Sequence, residues 1–290
     1  MMRLLIIGCF LCLLMSSCGD GRKKTDPFGA LAEQIDSAKA VHPDSVGDLT
    51  FEEEEEVPVA ADESFADFFY NFASDEGFQR TRVVFPFSFY GDEDVRRIGR
   101  EEWRYDPLFS REPVYTVLFD NEEDMEVERD TSVHSVQIDW IYLSSKKVKR
   151  YYFERKDNRW YLEAVSVTPR NEADEAGKGE EDFLDFYERF SRDSVFQRNR
   201  LHYPLLFVTS DPEDEFRILE TTLDVGQWFA FRPPMMRDSL TNVHYGQPEN
   251  KTSKHKIIEF KGFGNGFNNT LYFECRKGIW KLTKFEDLSD

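Results

Sequence analysis

Phe65, Phe68, Phe69 and Phe72 fall at i, i+3, i+4 and i+7, the spacing of one apolar face of an α-helix. Asp62 and Glu63 stand before this stripe, where negative side chains suit the positive start of a helix. The stripe returns as Phe183, Phe186, Tyr187 and Phe190, after Glu180, Glu181 and Asp182. An aspartate follows each stripe, Asp75 and Asp193, with the chemistry of an N-cap for a short second helix carrying Phe78 or Phe196. A strand is expected next in both places, ended by Pro86 and Pro204 because proline has no N–H to give a ladder.

The remainder of each segment alternates with the period of a strand. Val136, Ile138, Trp140 and Tyr142 interleave with Ser135, Gln137 and Asp139, as in a half-buried antiparallel strand. Residues 147–154 and 159–167 flank the turn residues Lys156, Asp157 and Asn158 and predict a hairpin. Residues 268–275 and 279–285 flank Arg276, Lys277 and Gly278 and predict its counterpart. Residues 115–119 and 228–231 read as further strands, and 101–109 and 212–223 as third helices.

These parallels are residue for residue. The block from Phe65 to Pro86 recurs from Phe183 to Pro204 at an offset of 118 positions, with Gln79, Arg80 and Arg82 matched by Gln197, Arg198 and Arg200. Tyr152, Phe153, Glu154, Trp160 and Leu162 recur as Tyr272, Phe273, Glu274, Trp280 and Leu282 at an offset of 120. Solenoid repeats run about 20 to 50 residues, so a period this long is that of a domain. The expected fold class is α+β: two tandem rolls, residues 62–168 and 180–290, each with helices packed on a curved antiparallel sheet. The joint, 169–179, is polar and contains glycine, as a linker should.

The N-terminal region lacks such periodicity. Leu4 to Met15 is a 12-residue apolar run behind Arg3, the length of a signal h-region and short of the roughly 20 residues that span a bilayer. Ser16 and Ser17 then precede Cys18, and residues 1–17 resemble a bacterial lipoprotein signal in which Cys18 takes the lipid; Met15 departs slightly from the usual pattern. Residues 18–61 read as a disordered acidic tether, with a five-residue run from Glu52 to Glu56 and too little apolar surface to offset ordering entropy. After processing, Cys275 is the one cysteine left beyond the tether, so no intrachain disulfide can form, and its alternation with Leu271 and Phe273 marks it as a buried strand residue.

Charge removes one class of partner. The formal net charge of −19 becomes −20 once Arg3 is lost with the leader, and an acidic chain repels nucleic acid. No metal site and no cofactor motif emerge: the five histidines do not pair at ligand spacing, and no phosphate loop or dinucleotide glycine motif is present. His202 is the candidate base, because strand alternation puts it on one face with Arg198 and Arg200, where two guanidiniums favour a neutral imidazole. Arg80, Arg82, Arg198 and Arg200 are candidate anion contacts; the plainer reading pairs Arg82 with Asp67 and Arg200 with Asp185 as struts from helix to sheet.

The lipoprotein start and the doubled phenylalanine, Gln-Arg and proline block together resemble an uncharacterised family of Bacteroidetes lipoproteins within the nuclear-transport-factor-2-like (cystatin-like) superfamily. The resemblance implies cone-shaped rolls, a fold that hosts isomerases, dehydratases and non-catalytic binders alike. It implies a cell-envelope protein held by its lipid, on the outer membrane facing the periplasm, whose partner is an envelope protein, a peptide or a small ligand. The expected role is non-catalytic binding or scaffolding; the alternative is a small-molecule enzyme with a polar pocket in the second roll. It also implies O-glycosylation at Asp-Ser sites followed by a small or aliphatic residue, which Ser37 and Ser45 match within the tether.

Overall fold

The computed structural model describes residues 64–290, apart from 93, 130–131, 171–179, 212, 247–249 and 251. The expected leader and tether, with Cys18, Ser37 and Ser45, lie outside the described residues, as does most of the 169–179 linker.

Both helical starts form as the stripes dictate. Helix α1 is Phe65–Ser74 and α2 is Glu76–Thr81; their counterparts are α3, Phe183–Arg192, and α4, Ser194–Asn199. Ser64 caps α1, Asp182 caps α3, and Asp75 and Asp193 cap the two short helices as expected. Gln79 and Gln197 are fully buried and do the same job twice. Nε2 of each donates back to a helix carbonyl, Phe72 at 3.0 Å and Phe190 at 2.9 Å. Each Oε1 accepts from the segment that closes the core: the Asp106 N–H at 3.0 Å in one half, the Trp228 indole at 3.2 Å in the other.

Strands β1 (Val83–Tyr90), β2 (Val95–Ile98), β3 (Val114–Phe119), β4 (Ser135–Tyr142), β5 (Lys147–Lys156) and β6 (Arg159–Pro169) come from the first half. The second supplies β7 (Leu201–Asp211), β8 (Asp214–Leu223), β9 (Ser239–His244), β10 (His255–Gly262), β11 (Asn268–Arg276) and β12 (Ile279–Asp287). Several expectations need correction. Strand β1 runs through Pro86 and β7 through Pro204, because the ladders to β6 and β12 break at those prolines and no N–H is missed there. Those two ladders are parallel, so the sheets are mixed. Residues 101–109 form turns, with Leu108 at positive φ, Trp103 buried against Phe87 of β1 and Phe109 buried against Phe69 of α1. Residues 214–223 are a strand, not a helix. Residues 225–231 are a helix, α5 (Val225–Phe231), started by a reciprocal Asp224–Gln227 capping box.

The larger departure concerns how the halves share strands. One sheet runs β2-β1-β6-β5-β4-β9 and the other β8-β7-β12-β11-β10-β3. Each sheet therefore ends in a strand from the opposite half: β9 pairs with β4, and β3 with β10. The cores follow. One gathers Phe65, Phe68, Phe72, Phe153 and Leu162 and takes Val243, Tyr245 and Ile257 from the second half. The other gathers Phe183, Phe186, Phe190, Phe273 and Leu282 and takes Val114, Ile141 and Leu143 from the first.

Two buried sheet edges thus meet, and their free backbone groups need partners. Thr116 and Thr241 supply them reciprocally. Thr116 Oγ1 accepts the Thr241 N–H at 2.8 Å and donates to the Thr241 carbonyl at 2.7 Å. Thr241 Oγ1 accepts the Thr116 N–H and donates to the Thr116 carbonyl, both at 2.7 Å. Thr116→Val keeps the shape and removes two of these bonds while leaving a buried N–H and C=O behind, so it should cost about 1–3 kcal/mol in urea unfolding. An unchanged midpoint would mean that the edges are not held in this way.

Candidate functional site

The helix-covered faces of the sheets leave little room. Phe65, Phe153 and Trp160 meet edge to face on one side, and Phe183, Phe273 and Trp280 repeat the arrangement on the other. The larger hollow lies on the opposite face of the first sheet. It has a volume of about 510 Å³, closed across from the sheet by Phe183 and Leu184 at the start of α3, by Leu118 and by Trp280. That volume lies inside the roughly 300–1,000 Å³ range of small-molecule sites. A second hollow, about 110 Å³, is lined mostly by aromatic rings, Phe65, Phe69, Phe109 and Phe263 among them.

Register fixes what the sheet presents to the larger cavity. His244, Gln137 and Tyr152 share one row across the strands; Asn242, Asp139, Arg150 and Ser166 form the next on that face; Leu240, Ile141, Val148 and Thr168 form the third. The face is polar at one end and apolar at the other. The matching rows of the second sheet differ in kind. They read Phe119, Ile257 and Tyr272, then Val117, Glu259 and Thr270, then Tyr115, Lys261 and Asn268. Where one half has His244 the other has Phe119, and where one has Arg150 the other has Thr270.

Asp139 is the centre of the polar end. Its side chain is 5% exposed and takes both oxygens' bonds from Arg150, Nε at 2.6 Å and Nη2 at 2.7 Å, with His244 Nε2 at 3.1 Å. Burial pushes its pKa up, but the hydrogen bonds from Arg150 and His244 outweigh this and hold the carboxyl below its ordinary value. Asn242 is oriented by its carbonyl, which accepts the N–H groups of Leu118 at 2.8 Å and Val243 at 2.9 Å. Its amide nitrogen lies 3.1 Å from His244 Nε2. His244 Nδ1 has no partner among the described residues. Tyr152 and Ser166 hydroxyls bond each other at 3.2 Å.

Charges around the cavity are matched but for Asp124, which bonds the Asn121 amide at 2.7 Å and faces no cation among the described residues. Arg170, buried at the apolar end, bonds Asp182 at 3.3 Å and also Asp185, while its Nε and Nη1 are buried without a partner among the described residues. Lys256 is bonded to Asp120, Lys254 to Glu180, and Arg200 to Glu181.

Two comparisons bear on these features. A family model described as "Domain of unknown function (DUF4348)" matches residues 44–287. The chain belongs to the DUF4348 family. A crystal structure of an NTF2-like protein from Bacteroides fragilis is 50% identical to it, with a TM-score of 0.75, over 80% of this chain and 99% of that one. None of the curated proteins compared with the chain matches it. The mixed α+β architecture of this DUF4348 chain, two six-stranded sheets with few helices among the described residues, fits an NTF2-like neighbour.

The residues singled out from the DUF4348 sequence lie elsewhere. His202 is exposed on β7, 3.5 Å from the Pro204 carbonyl, and lines neither cavity. Arg80 pairs with Glu76 across one helical turn, and Arg198 is exposed. Arg82 and Arg200 are scaffold: each donates to a tryptophan carbonyl, Trp160 at 3.3 Å and Trp280 at 3.1 Å, and lies over a phenylalanine ring, Phe78 at 4.9 Å and Phe196 at 4.5 Å. The expected aspartate struts are replaced. Asp67 takes the Ser64 hydroxyl, Asp185 takes Arg170 and Lys146, and Arg200 takes Glu181. Cys275 is buried, as its alternation required.

Proposed function

We propose that the protein is a lipid-anchored binding module of the cell envelope that takes a small molecule in the 510 Å³ cavity on the first sheet. The two halves are tandem rolls descended from one module, each completed by a strand of the other. The observation that carries this reading is one-sidedness. A duplicated scaffold keeps its helices, glutamines and arginines in both copies, yet among the described residues only the first sheet, completed by β9 from the second copy, lines a hollow with an Asp139, Arg150 and His244 cluster. Purely architectural duplication gives no reason for that polar row. Anchoring follows from Cys18 at the end of a lipoprotein-like leader, on the outer membrane facing the periplasm, and several acyl chains hold where one is marginal.

A second reading has its own support. The Asp139–His244 contact is the arrangement by which a carboxylate orients an imidazole for acid–base work, so a small-molecule enzyme would use His244 in this cavity and not His202.

Intact mass spectrometry of protein extracted gently from membranes tests the first reading. The expected spectrum carries an acylated Cys18 and a bound small molecule, and Val148→Trp, which fills the apolar end, loses the adduct with its circular dichroism unchanged. Adducts kept in full by the filled variant would place binding elsewhere.

A further inference from the structure

We infer that the cavity selects a neutral, hydroxyl-bearing molecule and that His244 Nδ1 receives its hydroxyl hydrogen; the inference rests on the binding reading above. The argument is an account of which groups are already satisfied. Asp139 has both oxygens occupied by Arg150 and one shared with His244. An ionised carboxylate 3.1 Å from Nε2 requires a hydrogen between them, so Nε2 carries the proton. The Asn242 amide nitrogen, equally near, favours the opposite tautomer. A hydrogen bond to a charged group is stronger than one to a neutral amide, so the carboxylate decides. Whenever the ring is uncharged, Nδ1 is then a lone pair without a partner among the described residues, and its complement is a donor.

Charge narrows the donor to an uncharged one. The three cations lining the cavity, Arg150, Arg170 and Lys256, each already face a carboxylate. Of the lining carboxylates, Glu180 and Glu181 are held by Lys254 and Arg200. Asp124 is the one lining carboxylate that faces no cation among the described residues, and it bonds the Asn121 amide at 2.7 Å; around His244 and Arg170 every charge is matched, and an alkylammonium at His244 would sit beside the Arg150 guanidinium. The two nitrogens of Arg170 that lack a partner among the described residues belong to a charge already neutralised by Asp182 and Asp185, so they call for a neutral oxygen. Ile141, Val148 and Leu184 receive an apolar body.

Three probes on one skeleton test this: 4-tert-butylcyclohexanol, the matching carboxylate and the matching ammonium, titrated into protein with 15N-labelled histidine. The His244 signals are identified by their loss in His244→Asn. The expected result is an unprotonated Nδ1 in the free protein and saturable shifts with the alcohol at concentrations at least about 10-fold below either charged analogue. Asp139→Asn should move the proton to Nδ1, weaken the alcohol and strengthen the ketone analogue. A protonated Nδ1 in the neutral wild-type ring, or a charged probe binding as tightly at the same wall, overturns the inference while the binding reading stands. If no head group perturbs Tyr152, Val148 or His244, the binding reading falls and this inference with it.

Discussion

Phe190→Ala and Phe72→Ala should each remove about 3–5 kcal/mol of stability, the usual cost of deleting a fully buried ring. The two rings occupy equivalent places. Phe72 meets Phe68 and, edge to face, Phe153, with centroids 5.3 Å apart in both pairs. Phe190 meets Phe186 at 5.4 Å and Phe273, edge to face, at 5.5 Å. Neither ring is accessible to solvent, and neither site can collapse easily, because each ring wedges a helix against a sheet. The informative outcome is how unfolding responds. Independent halves would show two thermal transitions, with each substitution shifting only its own. Exchange of β3 and β9 ties the halves together, so both variants should lower one common transition, by on the order of 10 °C. Two separable transitions in calorimetry, or a Phe72→Ala protein whose second half melts normally, would contradict the shared strands.

What could be read in advance divides along the range of the interactions. The helical starts were legible because their signals are local: a phenylalanine stripe within three turns, an aspartate cap beside each short helix, and a second copy to confirm both. Hairpins β5–β6 and β11–β12 were legible for the same reason. Helix α5 carried its own sign in Asp224 and Gln227, but the aromatic residues at 228–231 suit a strand equally well. The segment 101–109 holds a helix-like spread of apolar residues, and its true fold is set by distant partners, Gln79 and Tyr151 closing on Asp106. Strand exchange has no local signature. β3 and β9 alternate as any strand does, and the matched threonines that join them stand 125 positions apart. His244 was missed on the same ground, since its partner Asp139 is 105 residues away. His202 drew attention through its neighbours in sequence, yet strand alternation gives a face without saying whether the face is covered. A usable signal did exist. Laying the two copies over one another puts Arg150 on Thr270 and, across the exchanged strands, His244 on Phe119. A duplicated scaffold whose matched positions turn polar around one sheet and not the other marks the place to look.

Asp139→Ala should cost about 3 kcal/mol, the lower end for breaking a buried pair, because Arg150 keeps 31% of its side chain in solvent and recovers some hydration. Arg150→Ala in the same background should cost little further, since most of the single-variant penalty is the stranded guanidinium. pH separates this contribution from plain packing. The folded carboxyl is held below its ordinary value of 3.8, so its pairing stabilises fully above that value and is lost as pH falls through the lower, folded one. Wild-type stability should therefore decline more steeply below pH 3.8 than that of Asp139→Ala. Asp106 and Asp185 are also held low, Lys149 and Arg170 outweighing burial there, so both proteins decline and the difference between the two curves isolates Asp139. Parallel curves would mean that Asp139 titrates normally, and the ionised carboxylate that fixes the proton on His244 Nε2 would lose its support. Stability and ligand selection thus depend on one charge state. The bonds that make Asp139 expensive to remove are the same ones that engage Nε2 of the cavity-lining histidine and leave Nδ1 without a partner among the described residues.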